Sequence, residues 1–288
     1  MSYYSTLGLM KEPFSTSPDP SFFFRSDSHV QALTRLEIAI RLRRGLSLIL
    51  GDVGTGKTTL ARTLLANFPQ EEAFAFHMIL DPSFESEYQF LLQLARMFGI
   101  RAPMKSTLDC REAIEHFLFQ SGVTEQRTTV LLIDEGQKLS FELLENLRVL
   151  LNYETNEFKL LQLVLLGQLE LQEKIKGISN FFDRISYKGR LEALDYEEMK
   201  EMISFRIRQA GYRAAMELFL EEAFQRIYEH TEGYPRQVTM FCHRALKELL
   251  LKNKFVVDRT IVENLIDEDV KTGWQRTSRL LQKSNYSS

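Results

Sequence analysis

Cysteine is nearly absent from this chain: two occur in 288 residues, Cys110 and Cys242. They lie far apart, each inside an apolar, helix-like stretch. That excludes a disulfide scaffold and leaves two thiols expected to be buried and reduced. Histidine is sparse as well. The five, at 29, 77, 116, 230 and 243, show no metal-ligand spacing with either cysteine, so no metal site made of side chains alone is expected. Neither charge sign dominates, with 36 Lys and Arg against 39 Asp and Glu and a formal net charge of −3. The global basic excess that advertises nucleic acid is missing, although a local basic face remains open. Long apolar runs are missing too. The longest, at 46–50, 130–133 and 163–166, fall far short of the ~20 residues a membrane helix needs. The first ten residues have neither the basic start nor the apolar stretch of a signal peptide, and internal repeats are not seen. A soluble, cytoplasmic protein is the expectation.

What is present is ordinary in amount and particular in order. Hydrophobic residues make up 44% and charged residues 26%, the balance of a globular protein with a real core. Residues 1–28 are rich in Pro, Ser, Tyr and Phe and read as an irregular, packed strap. A helical period then runs over 29–44 through Val30, Leu33, Leu36 and Ile40. From Leu46 short apolar strands alternate with amphipathic helices: strands at 46–50, 74–80, 129–134 and 160–167, helices at 57–67, 86–98, 108–120 and 141–151. Ser86 and Gln89 stand in capping-box positions. Such alternation predicts a parallel sheet covered on both faces. Beyond Leu191 strand signals stop. Asp195-Tyr-Glu-Glu198 opens a helix that Gly211 ends, and further helices fit 218–230, 235–251 and 258–267. The expected organisation is a sheet domain with its strap over 1–190, a helical domain over 191–270 and a loose basic tail over 271–288.

The chemistry sits on two of the strands. Gly51-Asp52-Val53-Gly54-Thr55-Gly56-Lys57-Thr58 fits the phosphate-loop pattern, and Thr59 continues it into a helix. The pattern needs an apolar strand before it and a helix after it, and has both. A strand must turn sharply into a helix while its N–H groups face phosphate oxygens, and glycine allows that backbone and that approach. Lys57 is expected to neutralise the β- and γ-phosphates of ATP and the Thr58 hydroxyl to help hold Mg²⁺. The bare pattern arises by chance in roughly one chain in a hundred of this length. Val130-Leu-Leu-Ile-Asp134-Glu135 supplies the second half. Its apolar strand delivers two carboxylates at the end where open α/β sheets bind ligands. Asp134 is expected to bind Mg²⁺ through its water, and Glu135 to orient and polarise the water that attacks ATP.

The chain resembles the ExeA-type AAA+ ATPases over about residues 3–270. The resemblance is carried by Tyr3-Tyr-Ser-Thr-Leu-Gly-Leu, Pro13-Phe-Ser, Ser17-Pro-Asp-Pro-Ser-Phe-Phe-Phe, Gly51–Thr59 and Ile133-Asp-Glu-Gly-Gln137. Leu160-Leu-Gln-Leu-Val-Leu-Leu-Gly-Gln168, Arg206-Ile-Arg-Gln-Ala-Gly211 and Gly233-Tyr-Pro-Arg236 extend it. It implies a P-loop fold with five parallel strands, the Asp134 strand not adjacent to the phosphate-loop strand, and a helical lid. It also implies three site residues. Gln168 matches the polar sensor of the γ-phosphate or lytic water, against the plainer reading of a turn or helix-capping residue. Arg236 matches a lid arginine aimed at the nucleotide, with Pro235 suited to the first turn of its helix. Arg184 lies where the family presents an arginine to the next subunit. Arg190 is the alternative, and either could instead pair with Asp183 or Glu192. Leu169 departs from the family's proline. Pro13 and Phe14 are candidates for an adenine wall or else a packed anchor.

What the resemblance implies for function is an ATPase working as a homo-oligomer, a ring in particular, with a protein partner in an envelope export or pilus system. Longer relatives add a membrane span and a wall-binding domain, so for this chain such a role is expected from the cytoplasm through partners. A DNA-bound transposition-helper ATPase is the main alternative. Arg35, Arg41, Arg43, Arg44 and the basic tail are its candidate contacts. A slowly hydrolysing, nucleotide-gated scaffold is the other, and the Asp134–Glu135 pair speaks against it.

Overall fold

The computed structural model of the chain describes residues 3–17, 19–68 and 73–273. The chain divides into two compact units. Ser17–Glu192 forms one; the residues before it, with the short helix α1 (Tyr3–Thr6), join the chain from Ala193 onward in the other. Residues 3–16, expected from the sequence in the sheet domain, thus fold in the helical unit. The sequence shows their aromatic, packed character but not what they pack on.

The larger unit is a five-stranded parallel sheet. Helix α2 (Asp27–Arg41) precedes β1 (Leu46–Gly51), and α3 (Lys57–Ala66) leads to β2 (Phe74–Ile79). Helices α4 (Glu87–Met97) and α5 (Thr107–Phe119) come before β3 (Thr128–Ile133), and α6 (Phe141–Leu150) comes before β4 (Leu161–Gly167). Helix α7 (Leu169–Lys176) and β5 (Ile185–Leu191) close the unit. The strand order is β2-β3-β4-β1-β5, so β4 separates β3 from β1. Every residue of β1, β3 and β4 is buried, because successive side chains serve opposite layers. Leu46, Leu48, Leu131, Ile133, Leu163 and Leu165 pack against α4–α7. Ile49, Val130, Leu132, Val164 and Leu166 pack with Leu33, Leu36 and Leu64 from α2 and α3.

Two elements of this unit carry no clear signal in the sequence. Edge strand β5 reads Ile-Ser-Tyr-Lys-Gly-Arg-Leu, with Ser186, Lys188 and Arg190 exposed and a glycine in its second half. One side of it faces solvent, so it lacks the apolar run that marks a strand buried on both faces. Helix α7 holds only eight residues, two of them buried.

The helical unit consists of α1, α8 (Tyr196–Gln209), α9 (Glu221–Thr231), α10 (Pro235–Leu251) and α11 (Arg259–Thr272). A reciprocal capping box of Asp195 and Glu198 starts α8, and Pro235 occupies the first turn of α10. The N-terminal segment is tied in by several bonds. Met10 N–H donates to Ala210 O (2.8 Å), and Arg206 donates to Pro13 O (2.8 Å) and Ser15 O (3.0 Å). Tyr3 hydroxyl donates to Glu12 Oε1 (3.2 Å) and lies 2.9 Å from His243 Nδ1. Phe14 is buried edge-on to Phe219, which makes it an anchor of this unit. The basic tail lies outside the described residues from 274 onward. Both cysteines are free and buried, and no helix among the described residues is long and apolar enough to cross a membrane.

Candidate active site

Strand β1 ends at Gly51, flanked by β4 and β5, and the chain turns through 52–56 into α3. A Cβ on Gly51 would sit 2.6 Å from Thr55 Oγ1 and 3.0 Å from Leu191 O, so only glycine fits. Thr55, itself buried, donates to Asp52 O from both N–H (3.3 Å) and hydroxyl (2.9 Å), which curls the loop. Val53 stands exposed at the loop and Gly54 has a left-handed φ of 88°. Gly56, with φ 98°, precedes α3 without any side-chain cap. The first N–H groups of a helix have no intrahelical acceptor, and left uncapped they suit an anion together with the helix dipole.

Lys57 is 6% exposed, and its ammonium donates to Gly51 O (2.9 Å) and Asp52 O (3.0 Å). Burial lowers its pKa, and the carboxylates of Glu135, Asp134, Asp52 and Glu170 pull the other way. The cation thus rests on neutral carbonyls with acids near it. Behind the loop, His29 of α2 places Nε2 2.9 Å from Thr55 O and Nδ1 2.6 Å from Ser26 Oγ. Burial holds this imidazole below its usual pKa.

Two strands away, β3 delivers Asp134 (2% exposed) to the same end of the sheet. Thr58 Oγ1 makes a short hydrogen bond to Asp134 Oδ2, and Asp134 Oδ1 accepts from Glu135 N–H (2.9 Å). Glu135 takes a left-handed φ of 52°, which swings the chain out of β3 into a 3-10 turn at Gly136–Lys138. Its Oε2 accepts from Gln137 Nε2 (2.7 Å). The loop, Lys57, Thr58, Asp134 and Glu135 therefore converge, as the two motifs in the sequence predict.

The donor set fits a magnesium nucleotide. A buried ammonium and an uncapped helix start suit phosphates, and Thr58 with Asp134 offers the one hydroxyl and one carboxylate that such a site adds to phosphate and water ligands. Thr59, half-buried in the first turn of α3, accepts at its carbonyl from Thr63 Oγ1 (2.8 Å).

The remaining candidates lie in different settings. Gln168 follows β4 at the N-cap position of α7, but its side chain does not cap that helix, and its N–H donates to Gln137 Oε1 (3.1 Å). Arg184 closes a 3-10 turn before β5, and its Nε is buried without a hydrogen-bond partner among the described residues. Arg190 is exposed on β5 with Nε 3.8 Å from Glu192 Oε1. Arg236 lies in the first turn of α10, in the helical unit. Of the candidate DNA-contact arginines, Arg35, Arg41 and Arg44 are exposed and Arg43 is half-buried. Arg43 bonds Thr128 Oγ1 (2.8 Å), Gly122 O (3.3 Å) and Gln126 O (3.2 Å). Arg41 lies over Phe68 and Phe74, and Arg35 over Tyr187. The sequence alone gives no role to His29, Gln137 or Glu170. Each is an ordinary polar residue on a helix or turn: His29 meets the loop at Thr55 O, Glu170 acts on Lys57, and Gln137 bonds Glu135 and the Gln168 N–H.

Comparison with known proteins bears on the family and the fold. The AAA domain family model matches residues 40–175. General secretion pathway protein A of Aeromonas hydrophila is 34% identical over 250 residues, covering 85% of this chain and 44% of that protein. This chain thus spans less than half the length of that curated relative. Among solved structures, the Aeropyrum pernix ORC2 protein in ADPNP–ADP complexes superposes with a TM-score of 0.66 at 16% identity, covering 90% of this chain and 71% of that one. Drosophila ORC bound to DNA gives 0.66 at 18% identity, covering 93% and 66%. At these identities the fold is what is shared.

Proposed function

The chain belongs to the ExeA-type AAA+ ATPases, and from that membership we propose that it binds Mg-ATP at Gly51–Thr59 and hydrolyses it. The observation that carries this reading is the convergence of Lys57, Thr58, Asp134 and Glu135 at one end of the sheet, with Thr58 hydrogen-bonded to Asp134 across two strands. Bound magnesium would polarise the γ-phosphoryl group; the residues do the rest. Lys57 gives up two neutral carbonyls for phosphate oxygens. Thr58 and Asp134 would hold the magnesium ion. Glu135, with one carboxylate oxygen engaged by Gln137, turns the other to the attacking water. Gln168 reports the γ-phosphate from the end of β4, Arg236 is the nucleotide-binding arginine that the family resemblance implies, and Arg184 is offered to the site of a neighbouring copy in an oligomeric ring. The work done is the driving or switching of a secretion- or pilus-type machine from the cytoplasm; the relative at 34% identity supports the secretion part of this reading by its name.

Two variants test the chemistry. Lys57→Ala should lose tight ATP binding, because the cation for the β- and γ-phosphates is gone while the loop remains. Glu135→Gln should keep the nucleotide and lose turnover by ~10²-fold or more, the usual scale for a missing general base. Normal hydrolysis by Lys57→Ala would sink the assignment of the site. Normal hydrolysis by Glu135→Gln would move the catalytic role elsewhere.

A further inference from the structure

The turn after Glu135 carries a carboxamide that joins two parts of the site. Gln137 Nε2 donates to Glu135 Oε2 at 2.7 Å, and Gln137 Oε1 accepts from the Gln168 N–H at 3.1 Å. Only one orientation of the amide satisfies both partners, since a carboxylate can only accept and an N–H can only donate. The turn bearing it is itself held. Lys174 Nζ donates to Gln137 O (2.6 Å) and Leu139 O (2.9 Å), and Lys138 N–H donates to Glu135 O (2.9 Å). The approach to β4 is close enough that a Cβ on Gly167 would lie 3.1 Å from Gln137 Oε1 and 2.6 Å from Leu171 Cδ2.

Glu135 needs such a hold. Its own backbone sits in the left-handed region, a conformation that a side chain-bearing residue keeps only when its surroundings impose it. The residue is half-buried, and its side chain can rotate about several bonds. Its carboxylate, together with those of Asp134, Asp52 and Glu170, opposes the lowering of the Lys57 pKa by burial.

We propose that Gln137 is a positioning residue for hydrolysis: its carboxamide fixes the Glu135 carboxylate toward the phosphate loop and ties it to the main chain at Gln168. The inference rests on Glu135 being the group that polarises water. Gln137 does not reach the nucleotide in this scheme; it acts through Glu135. Because the second bond goes to the end of β4, any shift of the Gln168 backbone moves the same carboxamide, and the water-polarising oxygen with it.

The test is a kinetic comparison of the full chain in four forms: wild type, Glu135→Gln, Gln137→Glu and the double variant. Gln137→Glu is nearly isosteric and keeps an acceptor for Gln168 N–H, but it replaces the donor to Glu135 with a like charge. Steady-state turnover is read with saturating Mg-ATP, and nucleotide affinity with a fluorescent ATP analogue. Gln137→Glu should lower kcat about tenfold or more, the scale of a modest misplacement of a reacting group, while Kd stays within about threefold of wild type. In the Glu135→Gln background the same change should cost nothing further, because the group it positions is already gone. Gln137→Met, which removes both hydrogen bonds without adding charge, should show the same split and covers the case in which the charged variant does not fold. Wild-type kcat in Gln137→Glu or Gln137→Met, with Glu135→Gln inactive, would overturn the role of Gln137 and leave that of Glu135 standing. An equal loss in the Glu135→Gln background would overturn it too, by showing a general disturbance of the turn. Wild-type turnover in Glu135→Gln itself would remove the basis of both.

Discussion

A methyl group at Gly56 would meet two obstacles: a backbone φ of 98°, which L side chains rarely adopt, and the His29 Nε2 atom 2.9 Å from where the new carbon would sit. Strain of this kind costs about 1–3 kcal/mol, and here its relief would have to deform the loop. Gly56→Ala should therefore lower the melting temperature and weaken ATP binding together, measurable by calorimetry and by titration with a fluorescent analogue. An unchanged affinity would mean that the loop reaches its binding shape without the left-handed residue. Gly56 is legible in the sequence because the phosphate-loop pattern encodes backbone geometry in consecutive positions. Asp134 and Glu135 are legible because four apolar residues announce the strand that delivers them. His29 and Gln137 are not. Their partners include a main-chain carbonyl at Thr55 and a main-chain N–H at Gln168, and a backbone group leaves no side-chain signature in a sequence.

Among the elements, α2 and the turn after it carry the basic stretch offered as a DNA contact. Arg35, Arg41 and Arg44 are exposed there, and Arg43 is half-buried. In the structure the Arg43 guanidinium donates to three oxygens on the segment leading into β3 and lies over Phe158. Arg43→Ala would strip donors from the Gly122 and Gln126 carbonyls and from Thr128. Its unfolding free energy should fall by about 1–3 kcal/mol, the range for hydrogen bonds to a charged donor, read as a lower urea midpoint. The same variant bears on DNA. If duplex binding at low salt dropped while stability stayed put, the arginine would be a phosphate contact and not a brace. The buried strands β1, β3 and β4 can be read from composition because both of their faces are apolar. Strand β5 cannot, since an edge strand with one wet face and an internal glycine resembles a loop, and only the family resemblance calls for a fifth strand.

For the molecule as a whole, the assembly reading makes the sharpest demand. If nucleotide lies between subunits, Arg184→Ala chains should bind ATP nearly normally and hydrolyse it poorly, with a loss on the order of 10³-fold where such arginines act. Mixing them with Glu135→Gln chains, also inactive alone, should restore some turnover, because a mixed ring contains sites with an intact Glu135 facing an intact Arg184. Mixed oligomers that stay inactive at every ratio would pass the question to Arg190. Stability carries a second prediction. Burial holds His29, His77, His230 and His243 below their usual pKa. The His243 imidazole also feels the Lys247 ammonium, which lowers it further, and the Glu12 carboxylate, which opposes the shift. The unfolded chain therefore takes up protons first as pH falls through about 6.5, and the folded state loses stability in the window below that value. Urea midpoints should be lower at pH 5.5 than at pH 7.5. His77→Phe should flatten part of the slope, since His77 Nε2 is buried without a hydrogen-bond partner among the described residues. An identical slope in that variant would place the proton uptake on other groups. The division into a sheet part and a helical part is legible in the switch from alternating elements to helices near Leu191. The destination of residues 3–16 is not, because aromatic packing residues do not say which core they join.

That destination has a consequence in time. A ribosome makes residues 3–16 of the helical unit and then the whole of Ser17–Glu192 before any of their partner helices exist. At ordinary rates of synthesis the wait is roughly ten to forty seconds. Throughout it Tyr3, Phe14 and their neighbours have no finished core to enter, while the sheet unit emerges as one uninterrupted stretch. The newborn protein therefore completes its sheet unit first and carries an aromatic segment whose own core is made only afterwards.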